Sequence, residues 1–345
     1  MKIKSLSTYH HAYAKKVELR SLSLSELEYM AKFYIGLKGF IAEKNIDLVI
    51  LHNDTRWYHA IAILLCNELK IPYLVTEQGL LRPFTTVIDN KGVNAKANIN
   101  LLNKEIDTAD NNSFLPRNTH DSLVSMMFFA VFILSFSLER WFGRRTVLRY
   151  MHNGYSVRKY YKRLVRKLKN NNQNNKAIER LEENSALFLL QLEHDSQFLM
   201  YSDFYSNQDV IDRACEKCRE LGLKLAIKKH PLDFNDYLLG NSAYFVDGNL
   251  VDLINESKLV ITINSSAIVT VLKSQTPLFV IGESMYKFGL ALENCQIEMI
   301  NLEKKQCDIE RQNYLKKLKD NYLLIGAGYD YCPLLLKNKL KQLLD

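Results

Sequence analysis

Apolar residues recur along the chain in short, regularly spaced blocks. Between residues 22 and 45 they fall at helical spacing, and "NIDLVILHND" then supplies a compact aliphatic run that reads as a strand. "YHAIAILLCNELK" is an amphipathic helix and "IPYLVTEQG" the next strand. Strand, helix and strand joined by short connections predict a parallel βαβ unit. The loops "HNDTR" (52–56) and "TEQG" (76–79) follow the two strands, at the end of the sheet that faces ligand in such folds.

Residues 89–122 are polar and Asn-rich and read as an excursion. "LVSMMFFAVFILSFSL" (123–138) is then uniformly apolar apart from three serines. A spanning helix needs about 20 apolar residues, so this run fits a buried core helix, a helix lying in a membrane interface, or, least well, a span. "NNNQNNK" (170–176) is a polar break, and a domain boundary is placed between about 170 and 185. A second alternation follows: "ALFLLQL" strand, "SNQDVIDRACEKCRELG" helix, "LKLAIKKHP" strand, "VDLINES" helix, "KLVITINSS" strand, "AIVTVLKSQ" helix, "TPLFVIG" strand. This predicts a second doubly wound domain. "NYLKKLKDNYLLIG" and "CPLLLKNKLKQLLD" read as helices, one packing back across the first domain. The expected fold class is therefore α/β, with two Rossmann-like domains (1–180 and 181–310) facing a central cleft. The first carries a helical, apolar and basic insertion at about 123–169, and residues 311–345 close the chain as helices.

With 345 residues, 47% of them hydrophobic, the chain can bury two cores. Its net charge of +8 is local: residues 140–169 hold 11 Lys and Arg and no acid, and without them 35 basic residues face 38 acidic ones. A nucleic-acid binder would need a basic face on a recognisable module, so no nucleic-acid partner is expected. Of six cysteines only Cys215 and Cys218 are close, on a helical pattern and without a second pair, which argues against zinc. "MKIKSLSTYHHAYAKK" lacks the apolar core of a secretory signal, and a cytoplasmic location is expected. "GAG" at 326–328 lacks the remainder of a dinucleotide fingerprint.

Four loops at predicted strand ends carry polar chemistry: Glu77-Gln78-Gly79; Gln191 with Glu193, His194, Asp195 and Ser196; Lys228-Lys229-His230-Pro231; and Asn264-Ser265-Ser266. The last leads straight into a helix, a setting that favours a phosphate, although a plain serine cap reads equally well. Lysines beside His230 would stabilise a leaving phosphate. Glu77 and Asp195 fall on different domains, and a pair of carboxylates can divide glycosyl transfer between nucleophile and acid/base.

These stretches, in this order, resemble the capsule polysaccharide biosynthesis proteins, the β-Kdo glycosyltransferases of Gram-negative capsule assembly. "NDTRWYHAIA" is similar to the family's G-D-x-R-x-x-H-x-x-A, and "TEQGLLRPFTTVIDNKGVNA" to its E-x-G-x-x-R-P pattern ending in G-V-N. "QLEHDSQF" resembles its Q-x-x-x-D-S-Q, "KKHP" its K-x-H-P, and "INSSAIVTVLKSQTPLFVIGESMYKFGL" its Asn-Ser-Ser/Thr block with the later Gly, Tyr and Gly-Leu. The resemblance implies a retaining transferase that takes Kdo, or a related nonulosonate, from a CMP-sugar to a lipid-linked acceptor at the inner-membrane face, beside other capsule assembly proteins. It implies Asp195 as the residue forming a covalent adduct and Glu77 as acid/base. It places His230 with Asn264, Ser265 and Ser266 at the CMP phosphate, and Gln191, Lys228 and Tyr286 around the donor. Asp54, Arg56, His59, Gly79, Arg82 and Asn94 would serve the acceptor or brace its loops. No cofactor is implied, and no metal, since a CMP-sugar carries a single phosphate. The chain departs from the pattern at Asn53, where the family has Gly, at Thr76, and at Val271-Leu272, and it opens without the family's Gly- and Pro-containing strand-turn. The other readings are a non-catalytic capsule assembly or export component and a glycosyltransferase for another nucleotide sugar.

Overall fold

The structure is a computed structural model that describes residues 2–81, 84–105, 123–142, 161, 165, 178–233, 235–287, 296–302, 308–327 and 330–344. It divides into two compact units. One comprises Met1–Pro116, Ala177–Asp233 and Tyr237–Asp345; the other comprises Arg117–Lys176 with Phe234–Asp236.

The larger unit holds both sheets. β1 (Val49–His52) and β2 (Tyr73–Gln78) pair in parallel across helix α3 (Trp57–Leu69), as the spacing predicts. The chain then reverses. The Gly79 amide donates to the Thr85 carbonyl at 2.7 Å, and β3 (Thr85–Asp89) runs back antiparallel to β2, with Glu77 opposite Val87. A Cβ on Gly79 would fall onto Thr85, so only glycine fits this reversal. The next partner of β3 comes from the far end of the chain. β9 (Leu323–Ala327) pairs antiparallel with β3, and β10 (Asp330–Tyr331) completes the order β1-β2-β3-β9-β10.

"NYLLIG" is thus corrected from helix to strand. Helix α9 (Asp308–Lys317) widens into a π-helical turn at Leu318–Tyr322, and Leu323 begins β9. Leu318, Tyr322, Leu323 and Leu324 are all buried, so pairing with β3 overrides the helical spacing. Helix α10 (Pro333–Leu344) is a helix as expected and packs on β9 through the same core as Leu335 and Leu343.

The second sheet has the order β6-β5-β4-β7-β8, all parallel, from Ala243–Phe245, Lys224–Lys228, Ser185–Leu189, Leu259–Ile263 and Leu278–Ile281. Numbered within the sheet this is 3-2-1-4-5, the doubly wound order. Leu187 and Leu189 enter one core cluster while Ala186, Phe188 and Leu190 enter the other. Both faces are therefore covered, which is why the strand reads as an unbroken apolar run. The short β6 left no signal in the sequence. "AIVTVLKSQ" forms only a four-residue helix, α8 (Ile268–Val271), within a series of turns.

No strand precedes β1 among the described residues. Helix α1 (Tyr9–Lys16) stands there, followed by α2 (Leu24–Lys44), which opens on a capping box between Ser23 and Glu26. Arg20 clasps the buried Glu26 carboxylate through two hydrogen bonds of 2.8 and 3.0 Å. In α1, Tyr9 donates its amide to the Thr55 carbonyl at 2.8 Å and its hydroxyl to the His194 carbonyl at 3.0 Å. One residue of α1 thereby ties the loop after β1 to the loop after β4.

In the smaller unit, helix α4 (Leu123–Phe142) contains the apolar run. It is not a buried core helix: Phe128 is 74% exposed and Met127, Phe129, Val131, Phe132, Leu134 and Leu138 are exposed, with Ile133 buried. No described helix is long and apolar enough to cross a membrane. Most of the basic segment 140–169 lies outside the described residues.

Candidate functional site

β4 and β7 are neighbours in the second sheet, yet the chain leaves them in opposite directions, toward β5 and toward β8. Ligands of doubly wound sheets bind outside such a switch point. The loop after β4 carries Gln191 and Asp195; the loop after β7 carries Asn264, Ser265 and Ser266.

Asp195 is the N-cap of helix α5 (Ser196–Tyr201), with its Oδ1 accepting the Gln197 amide at 2.8 Å. Burial pushes its carboxyl above the ordinary aspartate range. The Gln197 amide, the Gln191 side chain and His230 oppose that shift, while the negative charge of Glu77 adds to it. Glu77, on the first sheet, and Asp195, on the second, therefore lie within electrostatic reach of each other, and His230 lies within reach of Asp195. Sequence position alone could not place these three together.

Glu77 occupies the penultimate position of β2. The Asn53 side-chain amide donates through Nδ2 to its Oε2 at 2.6 Å. Asn53 is left-handed (φ 69°), a conformation that asparagine tolerates better than most residues after glycine, and its Oδ1 accepts the Thr55 amide at 2.7 Å. The residue that departs from the family glycine thus keeps the glycine-type backbone and adds a donor to Glu77.

Asp54 is 0% exposed. Burial raises its carboxyl pKa, Glu77 raises it further, and Lys96 and the backbone amides of Asp54 and Val93 hold it down. Gly92 closes over it: a Cβ there would stand 2.8 Å from Asp54 Oδ2 and 2.6 Å from Lys96 Cβ. The loop that follows is built by Asp89, whose oxygens accept the amides of Lys91, Gly92 and Asn98 and the Tyr322 hydroxyl at 2.7–3.1 Å. Asn94 lies in that loop with φ 53°, starting the 3₁₀ turn Asn94–Lys96. Asp89 was absent from the expected site, although an Asp before Asn and Gly at a strand end is an Asx-turn signal.

Several expected residues also have partners within the protein. Lys228 donates to Asp247 at 3.1 Å and to the Gly248 carbonyl at 2.9 Å, and Lys229 lies over the rings of Tyr237 and Phe245. Both cations are engaged beside β6. Asn264, left-handed at φ 34°, donates its amide to the carbonyls of Gln197, Tyr201 and Glu283 at 3.0–3.5 Å. It joins α5 to the loop after β8, where Gly282 (φ 89°) lies against the Tyr201 carbonyl. Ser265 Oγ accepts the Ala267 amide at 3.3 Å and Ser266 is exposed. With four residues, α8 offers little of the helix dipole the sequence promised there. Tyr286 is buried in the core with Tyr314 and Tyr322. Arg56 caps the start of α3 and donates to the Tyr58 hydroxyl at 2.9 Å. Burial and Arg56 push His59 down to about 4, tempered by the Asn53 backbone, so its imidazole is neutral at neutral pH. His230 Nδ1 accepts the Leu232 amide at 3.1 Å. Arg82 lies outside the described residues. Among the described residues, no three His, Cys, Asp or Glu side chains are grouped to hold a metal ion.

Fold and site define an α/β protein with a doubly wound, nucleotide-type sheet whose switch point is faced by a carboxylate from a second sheet. A family model described as "Capsule polysaccharide biosynthesis protein" matches residues 47–324, and the chain belongs to that family. It is 25% identical over 280 residues to the capsule polysaccharide export protein KpsS of Escherichia coli, across 72% of this chain and 70% of that one. It is 24% identical over 298 residues to the capsule polysaccharide modification protein LipB of Neisseria meningitidis serogroup B, across 77% and 70%. Among solved structures it is similar to the β-Kdo 2,7 transferase of Thermosulfurimonas dismutans KpsC, at 14% identity, 94% and 98% coverage and a TM-score of 0.44. The KpsC β-Kdo 2,4 transferase of the same organism gives 16%, 78% and 79%, and 0.38.

Proposed function

We propose that the protein is a glycosyltransferase of capsule polysaccharide biosynthesis that moves Kdo, or a related nonulosonate, from its CMP form to a lipid-linked acceptor with retention of configuration. The observation that carries this reading is the pair Asp195 and Glu77, two carboxylates from different sheets within electrostatic reach beside the switch point. In a double displacement the Asp195 carboxylate attacks the anomeric carbon and the sugar–phosphate bond breaks, its electron pair leaving with CMP. His230 and the Asn264–Ser266 loop would meet the departing phosphate. Glu77 then takes the proton of the acceptor hydroxyl as that oxygen attacks the glycosyl ester, which frees Asp195. The Asn53 side-chain amide, bonded to Glu77 Oε2, holds that carboxylate in place at the end of β2.

The names of the relatives favour a second reading, a non-catalytic component of capsule export or modification. Purified protein with CMP-Kdo and a phosphatidylglycerol-type acceptor separates the two. CMP release with a glycosylated lipid, and a sugar adduct on the peptide bearing Asp195, supports the transferase. Neither product from CMP-Kdo or from a panel of other nucleotide sugars supports the export component.

The exposed apolar residues of α4, followed in sequence by the acid-free basic run 140–169, suit attachment to an anionic membrane surface, where a lipid-linked acceptor resides.

A further inference from the structure

Gln197 and Tyr201 lie four residues apart on α5, so their side chains leave the helix on one face. Each is 8% exposed, yet neither the Tyr201 hydroxyl nor either terminal atom of the Gln197 amide has a hydrogen-bond partner. Asp54 lies within electrostatic reach of Tyr201 and is fully buried beside it. The buried hydroxyl of Ser284 also has no hydrogen-bond partner. These groups are drawn together by contacts already described. The turn Asn94–Lys96 packs on α5 and on the turn Met285–Lys287, Gly92 sets the same loop against Asp54, and Asn264 fastens α5 to Glu283.

A buried polar group without a partner costs about 1–3 kcal/mol, and native interiors hold few of them. Several from α5 and the loop after β8, beside the buried Asp54, mark a place built for a polar guest. The guest must exchange hydrogen bonds with a phenol, an amide and a hydroxyl beside a buried carboxylate. The hydroxyl groups of a sugar, away from any carboxylate at its anomeric end, do all of this without bringing charge to the spot. From the cap Asp195 to Tyr201 is about 9 Å along the helix at 1.5 Å per residue, longer than one pyranose ring and suited to an extended sugar acid.

We propose that Asp54, Gln197, Tyr201 and Ser284 form the subsite for the hydroxyl groups of the transferred sugar, while its anomeric carbon meets Asp195 at the head of the same helix. This rests on the transferase reading and assigns it a donor-sugar pocket. The test is calorimetric titration of the wild type, Tyr201→Phe and Gln197→Met with CMP and with CMP-Kdo. Both variants keep CMP affinity within about twofold and weaken CMP-Kdo about tenfold or more, the loss of one hydrogen bond to a buried partner. Tyr201→Phe, which removes only an unpaired hydroxyl, leaves thermal stability unchanged or higher. CMP-Kdo affinity equal to wild type in both variants, or CMP and CMP-Kdo weakened alike, overturns the subsite and leaves the transferase reading standing. A wild type that binds neither compound overturns both.

Discussion

Replacing Asp195 should separate catalysis from folding, with opposite signs. Asp195→Asn keeps an oxygen to accept the Gln197 amide, so the cap of α5 survives. Asp195→Ala loses that cap, about 1 kcal/mol, or roughly 2 °C in Tm for a chain of this size. The charge works the other way. Burial raises the folded pKa of Asp195 above its ordinary 3.8. Its stabilising contribution is therefore fully present below the unfolded value and lost as pH rises through the folded one. At neutral pH the ionised, desolvated carboxylate near Glu77 is a burden, and Asp195→Asn removes it. The expected result is a Tm at or above wild type at pH 7.5, an advantage that shrinks as the buffer is taken toward pH 3.5, and an Ala variant below the Asn variant throughout. Turnover of CMP-Kdo should fall by at least about 10⁴-fold in both, as when a covalent nucleophile is removed. Thermal denaturation across pH, beside a CMP-release assay, reads all of this. An Asn variant that keeps turnover refutes the nucleophile. One that loses turnover and also melts several degrees low at pH 7.5 shows that Asp195 acts through the fold.

Glu26, held down to about 2 by Arg20 and the Ser23 cap against its ordinary 4.5, stabilises the fold above pH 4.5 and loses that contribution as pH falls toward 2. The contribution is on the order of 2 kcal/mol once solvent screening of half-exposed Arg20 is allowed for, and Glu26→Gln should flatten the acid limb of urea midpoints against pH. Asn53→Gly suits the left-handed backbone and should leave Tm within about 1–2 °C. Loss of the charge-assisted bond that orients Glu77 should lower turnover about tenfold; unchanged turnover argues that the bond is inert. Gly92→Ala drives a methyl toward Asp54 and Lys96, and should cost about 1–3 kcal/mol in denaturant titrations. Phe128→Glu with Phe132→Glu should abolish flotation with anionic vesicles while the far-UV circular dichroism stays unchanged; undiminished flotation would remove α4 as the attachment.

The second sheet was legible in the sequence because its periodicities are local. β4, β5, β7 and β8 each read as an apolar run closed by polar residues, and the polar closures at Gln191, Asp195 and Asn264 fall where the loops flank the switch point. The βαβ unit around α3 was legible for the same reason. What the chain alone left open rests on contacts between residues far apart. β9 becomes a strand because β3, more than 230 residues earlier, offers it a partner. Lys228 and Lys229 read as anion ligands, and only the fold shows that Asp247 and the rings of Tyr237 and Phe245 engage them. Asn264 read as part of a phosphate loop, and its side chain fastens α5 as well, a contact no local pattern announced. Sequence chemistry thus determined which residues could act: a carboxylate at each of two strand ends and a histidine between lysine and proline. Only the tertiary structure decided which of them meet, because electrostatic reach and burial depend on position in space. The same dependence brings Glu77 to Asp195 and leaves the Tyr201 hydroxyl and the Gln197 side chain without hydrogen-bond partners in the interior.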